Sequence, residues 1–207
     1  MLQSISNAKR YTSYSDDELL ATLLKTPSVV ESICNWNAAR YEQVHSEELT
    51  LALLHEELFE TREAYSKYDA VATLDGLGDL FYVAIGALWK TGLSAANITQ
   101  LMTQVEEDTA IWPTPEVAVF WYEATRDANV LCLVAHTALQ RMHEVLGSDT
   151  YVMNVIRAIC TSNDTKDVVR TGKHEKANKV KGAGYIPPTE VITELLCRAT
   201  AEAQSGQ

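Results

Sequence analysis

Residues 54–64 read LHEELFETREA and residues 74–83 read LDGLGDLFYV. Six carboxylates stand in these two stretches among Leu, Phe, Tyr and Val, where the apolar pattern calls for a core. On a helix, positions three and four apart share a face. Glu56 and Glu60 are four apart, Glu57 and Glu60 three, and Asp75 and Asp79 four. The link between the stretches is short enough for two helices to pack antiparallel, so the acidic sets are expected to face each other. Leu54, Leu58, Leu77, Leu80 and Phe81 lie on or beside the same faces and imply partial burial. Like charges buried unpaired cost several kcal/mol. A half-buried set therefore needs cations. Hard oxygen donors with no His at ligand spacing suit Mg²⁺ or Mn²⁺ rather than zinc; His55 is adjacent but belongs to another side of the helix. The plainer alternative is a solvated acidic stripe served by Arg62 and Lys67.

Working outward, helices dominate. Ser15 is a candidate N-cap for a short helix that Pro27 ends or restarts, and residues 28–43 read as the next. Ser46 caps a helix expected to run to about Tyr65. Residues 70–91 form a strongly apolar helix closed by Gly92, and Asn97 to Glu107 a shorter one. After the two prolines of WPTPE, residues 116–146 read as one long helix ending at Gly147, followed by Thr150 to Thr161. From Ser162 the chain turns polar, basic and glycine-bearing, and TEVITELLCRATAEA closes it as a helix. Glu123 and Asp127, before LCLVAHTAL, echo the spacing of Asp75 and Asp79; since helices commonly start with acids, the echo is read as coincidence.

The 207 residues suffice for one good core, and few glycines and prolines argue against an all-β chain. A net charge of −11 disfavours binding to a nucleic-acid backbone or an anionic membrane. The four cysteines, far apart and without zinc spacing, read as thiols of a reducing compartment. The N-terminus has no apolar segment of the signal-peptide kind, and no run reads as a membrane span. The expected location is cytoplasmic.

The acidic pattern resembles the MazG-like all-α NTP pyrophosphohydrolases, which include phosphoribosyl-ATP pyrophosphohydrolase and the dimeric dUTPases. Their mark is an EExxE helix followed by one bearing ExxD. EELFE, with Glu56, Glu57 and Glu60, matches the first part, and GDLFYV with Asp79 the second. The family Glu three residues before that Asp is Gly76 here, and Asp75 is the candidate substitute. A second resemblance lies in the tail. Phage and bacterial members of that group carry SNxSK, then GK, then KGxxYxPP; this chain has SNDTK (162–166), TGK (171–173) and KGAGYIPP (181–188). Together the likenesses cover about 30–95 and 150–190 of a single domain, 1–207, leaving 96–149 as a helical insertion.

The resemblance implies an all-α antiparallel bundle with an irregular basic C-terminal segment. It implies hydrolysis of a nucleoside triphosphate, expected to be a deoxynucleotide, to the monophosphate and pyrophosphate. Mg²⁺ or Mn²⁺ would be held by Glu57, Glu60, Asp75 and Asp79, with Glu56 as a further ligand or the base that orients water. Lys166, Lys173 and Lys181 would reach phosphate oxygens, Asn163 the base or a phosphate, and Tyr185 would pack on the substrate. Trp36 is a candidate to stack on the base, or else an ordinary core tryptophan. The insertion and tail set the chain apart from the compact phosphoribosyl-ATP enzyme. The resemblance also implies a homodimer or homotetramer. The competing reading is a helical interaction protein with the same bundle but no catalysis, supported by Gly76; a nucleic-acid binder using the basic tail is disfavoured by the net charge.

Overall fold

The computed structural model describes residues 28–108, 113–169 and 178–205. The fold is an all-α bundle. Its helices, numbered in chain order among the described residues, are α1 (Ser28–Arg40), α2 (Glu47–Ser66), α3 (Ala70–Lys90), α4 (Ala95–Asp108), α5 (Pro115–Thr125), α6 (Ala128–Leu146), α7 (Asp149–Asp164) and α8 (Thr189–Ser205). The helix expected from Ser15 lies outside the described residues.

Local chemistry sets the boundaries. The Ser46 hydroxyl accepts from the Leu49 amide and starts α2. The Asp69 carboxylate accepts from the Ala72 amide and starts α3. Only Lys67, Tyr68 and Asp69 separate the two helices, so they return antiparallel, as the acidic stretches predicted.

α3 is the central element. It packs most extensively on α2 and α6, and also meets α1, α7 and α8. Leu74, Leu80, Phe81, Ile85 and Leu88 are fully buried, each contributing about 1.5–3 kcal/mol of apolar burial. By length and hydropathy α3 is a candidate membrane span, contrary to the sequence reading; 67% of its apolar window is buried inside the bundle, so neighbouring helices cover it. Its glycines permit that closeness. A Cβ at Gly76 would stand 2.3 Å from Thr61 Oγ1 on α2, and one at Gly78 2.8 Å from Ile159 Cγ1 on α7.

The single helix expected over 116–146 is two. Arg126 takes a left-handed φ of 56° and caps α5, and the Asp127 carboxylate accepts from the Asn129 amide to start α6. An aspartate that can cap competes with helix continuation, and no glycine or proline marks the break. The region read as an insertion supplies core: Leu131, Val134, Ala138, Leu139 and Met142 on α6 are fully buried against the bundle. The tail is also less irregular than expected. Two short strands, β1 (Asp167–Val169) and β2 (Asn178–Val180), pair antiparallel with Val168 opposite Lys179.

Candidate active site

Asp75 and Asp79 project from the middle of α3, one turn apart and half-buried. The last turn of α7 stands over them. Asn163, with no exposed surface, donates from Nδ2 to Asp79 Oδ1 at 3.3 Å and to the Ile159 carbonyl at 3.1 Å. Its Oδ1 accepts from Lys166 Nζ at 3.2 Å, and its carbonyl accepts from the Trp36 indole at 3.1 Å. One buried amide thus ties an aspartate to a lysine and anchors both to α1. Asn163, expected to reach the base or a phosphate, has its side-chain amide engaged at both ends by this clamp.

The strap from Lys181 to Pro188 closes the same side. Ser162 Oγ donates to the Tyr185 hydroxyl at 3.3 Å, and the Ile186 amide donates to Thr165 Oγ1 at 3.0 Å. Lys181 Nζ lies 5.0 Å from the centre of the Tyr185 ring. SNDTK and KGAGYIPP, separate in the chain, are therefore stitched together here. Ser162 and Thr165 were not singled out from the sequence; their signal was membership of the SNDTK motif.

Electrostatics mark Asp75. Burial, and then the neighbouring Asp79, push its carboxyl up to about 6, against the pull of Lys166 and Lys181; Glu60 adds to the rise. Its Oδ1 is buried without a hydrogen-bond partner. A carboxylate oxygen in that condition is stabilised by an added cation. Across the helix pair, Glu57 is half-buried and Glu56 and Glu60 are exposed on α2. Lys67 pairs instead with Glu63, at 2.7 Å, and so does not serve the site acids. Among the described residues, no three His, Cys, Asp or Glu side chains converge closely enough to hold an ion by themselves. The donor set fits a hard divalent cation by chemistry and by the orphaned Asp75 oxygen, and it is not preassembled.

At Gly76, where the ExxD pattern has its glutamate, α3 lies close against α2. A side chain at position 76 would press on Thr61, whereas Asp75 feels Lys166 and Lys181. Trp36 fits the core alternative. It is 5% exposed, with Tyr41 and Tyr82 against it at ring separations of 5.6 and 5.7 Å and the Arg40 guanidinium 4.6 Å from its centre. It offers no face to a base and serves as the anchor for Asn163. Lys173 lies outside the described residues.

Residues 36–108 match the family model of phosphoribosyl-ATP pyrophosphohydrolase. The matched stretch, less than half of the chain, carries both acidic helices. This part of the chain is thus similar to a pyrophosphohydrolase family. No curated protein and no solved structure matches the chain.

Proposed function

We propose that this protein is a metal-dependent nucleotide pyrophosphohydrolase that converts a nucleoside triphosphate, in the first instance a deoxynucleotide, to the monophosphate and pyrophosphate. The observation that carries the reading is the orphaned, half-buried Asp75 beside Asp79, facing Lys166 and Lys181, within the stretch similar to pyrophosphohydrolases. Glu57, Glu60, Asp75 and Asp79 would hold Mg²⁺ or Mn²⁺, which when bound neutralises phosphate charge and acidifies water. The rest falls to the chain's own groups. Lys166 and Lys181 supply point charges for phosphate oxygens as pyrophosphate leaves the α-phosphorus. Asn163 holds Asp79 and Lys166 in register. Glu56, exposed on α2, is the remaining candidate to orient water. Tyr185 packs under Lys181 and shapes the strap.

The test is incubation of the purified chain with each common NTP and dNTP, and with phosphoribosyl-ATP, in Mg²⁺ or Mn²⁺, with nucleoside monophosphate and pyrophosphate measured separately. Release of both from a deoxynucleotide is the expected result. Release from phosphoribosyl-ATP alone reassigns the substrate. No release from any, together with a melting temperature that neither metal shifts, favours a helical interaction protein without catalysis.

A further inference from the structure

α7 and α8 leave a groove between them. They run antiparallel: Tyr151, in the first turn of α7, donates to Glu202 near the end of α8, and the strap ties the end of α7 to the start of α8. Residues 154, 157, 158 and 161 of α7 and residues 191, 194, 195 and 198 of α8, spaced three and four apart, line it. Ala158 is small and Leu195 is buried, and the groove keeps a volume of about 350 Å³. That lies within the roughly 300–1,000 Å³ typical of small-molecule sites. Its two ends differ in chemistry. Toward the strap the walls are apolar, with Ile186 54% and Val191 43% exposed and Pro187 beside them. Further along stand Arg157 and Arg198. Arg198 is paired with Glu194 one turn earlier. Arg157 has no carboxylate partner among the described residues; its Nη1 donates to the neutral Asn154 side chain at 3.1 Å. The remaining guanidinium N–H groups can only donate. In a chain of net charge −11, two arginines against one glutamate are a local surplus of positive charge.

We propose that this groove is a second ligand site, separate from the acidic helices, and that it takes a small organic phosphate: a phosphomonoester carried on a flat apolar ring. The phosphate oxygens accept from Arg157 and Arg198, whose planar donor forks suit phosphate. The ring lies on Ile186, Pro187 and Val191. A bare anion would use one end of the groove and a neutral ring only the other. Nucleoside monophosphates have this chemistry, and under the proposed function one of them is the product. The groove is then a place where product acts back on the enzyme; only this regulatory step rests on the pyrophosphohydrolase reading. The path is the strap. Its Tyr185 hydroxyl and Ile186 amide are bonded to Ser162 and Thr165, and Lys181 lies over the Tyr185 ring. Ile186 and Pro187, in the same short segment, line the groove. A ring seated there steadies the strap, and with it Lys181.

Isothermal titration of the full chain in EDTA tests the site without turnover, so a chain that hydrolyses nothing can still show it. The probes are dAMP, phenyl phosphate, adenosine and inorganic phosphate. The two ring phosphates are expected to bind, and adenosine and inorganic phosphate at least about 10-fold more weakly, since each engages one end only. Binding of dAMP without phenyl phosphate narrows the ligand to a nucleotide; binding of both keeps the wider class. Arg157→Gln, at an exposed position, is expected to lower affinity by roughly 10-fold or more, as for a lost hydrogen bond to a charged group, with helical circular dichroism unchanged. Lys181→Ala should leave affinity within about 2-fold, because Lys181 does not line the groove. Bound dAMP should also slow hydrogen exchange of the Ile186 amide, and an unmoved rate overturns the link to the strap. Absence of binding by both ring phosphates, or binding that survives Arg157→Gln, overturns the site. So does binding lost in Lys181→Ala, which places the ligand at the acidic helices, and so does inorganic phosphate binding as tightly as the ring phosphates.

Discussion

Two pairs of acids share one spacing and put it to different uses. Asp75 and Asp79 lie inside α3, while Glu123 ends α5 and Asp127 caps α6. In the second pair each acid has a partner at the surface. Glu123 meets His55 at 3.4 Å, and Asp127 accepts an amide two residues on. Both are exposed, and the chain breaks between them. In the first pair the helix runs on, so the acids cannot cap. One is clamped by a buried amide from another helix, and the other keeps a buried oxygen without a partner. Acid spacing alone does not single out a candidate site; what sets Asp75 and Asp79 apart is half-burial within a continuous helix, with one carboxylate oxygen left without a hydrogen bond.

That contrast can be broken by substitution. The largest difference should be in turnover. Asp79→Asn is expected to lower kcat/KM by about 100-fold or more, a loss of roughly 3 kcal/mol of transition-state stabilisation, and Glu57→Gln and Glu60→Gln to fall in the same direction. Asp127→Asn should stay near wild type, because Asn caps as well as Asp. Equal activity in the two Asp→Asn variants would erase the distinction. Next, Asn163→Ala removes the clamp and should destabilise the fold by about 2–3 kcal/mol in urea unfolding. It should also lower kcat, which a purely structural loss elsewhere in the core would not do in proportion.

Gly76→Ala should cost about 1–3 kcal/mol by overpacking against Thr61, and Gly76→Glu more, without gain of activity. A stable and more active Gly76→Glu would show that Asp75 is not the substitute acid.

The pH dependence sharpens the comparison further. Asp75 holds its proton up to about 6 when folded, above its ordinary value near 3.8. Between those values the folded state binds more protons, so stability falls as pH rises, and the loss is complete above pH 6. Without divalent cation, Asp75→Asn should therefore melt above wild type at pH 7, with the difference gone by pH 4. A pH-independent difference would place the charge elsewhere. The smallest effect is expected from Lys181→Ala, a raised KM by roughly 5-fold, about 1 kcal/mol for an exposed charge, with kcat little changed. Unchanged kinetics would leave the strap a connector.

Much was legible in the sequence because its cause was local. The capping serine before α2, the apolar period of α3 and the short link between them predict two antiparallel helices, and so they lie; the acids expected on their facing sides divide, with Asp75, Asp79 and Glu57 half-buried and Glu56 and Glu60 exposed. The break at Arg126 was not legible, because a left-handed arginine and an aspartate cap carry no glycine or proline signal. Trp36 was ambiguous for a related reason: a tryptophan between asparagines reads alike as a stacking platform or as core until the α7 carbonyl that accepts its indole is known.

What the sequence by itself determined is the inventory: an all-α chain, with carboxylates spaced to share faces of two adjacent helices and lysines gathered in the tail. Helical period and capping are set by neighbours within about four residues, so they survive translation into one dimension. What only the tertiary structure decided is which of those groups meet. Asn163 reaches Asp79 across 84 residues of chain and Trp36 across 127. At Gly76, Thr61 occupies the space a side chain would need. Burial, the lost hydrogen bond of Asp75 and the pull of two lysines are properties of packing, and packing is specified by the whole fold.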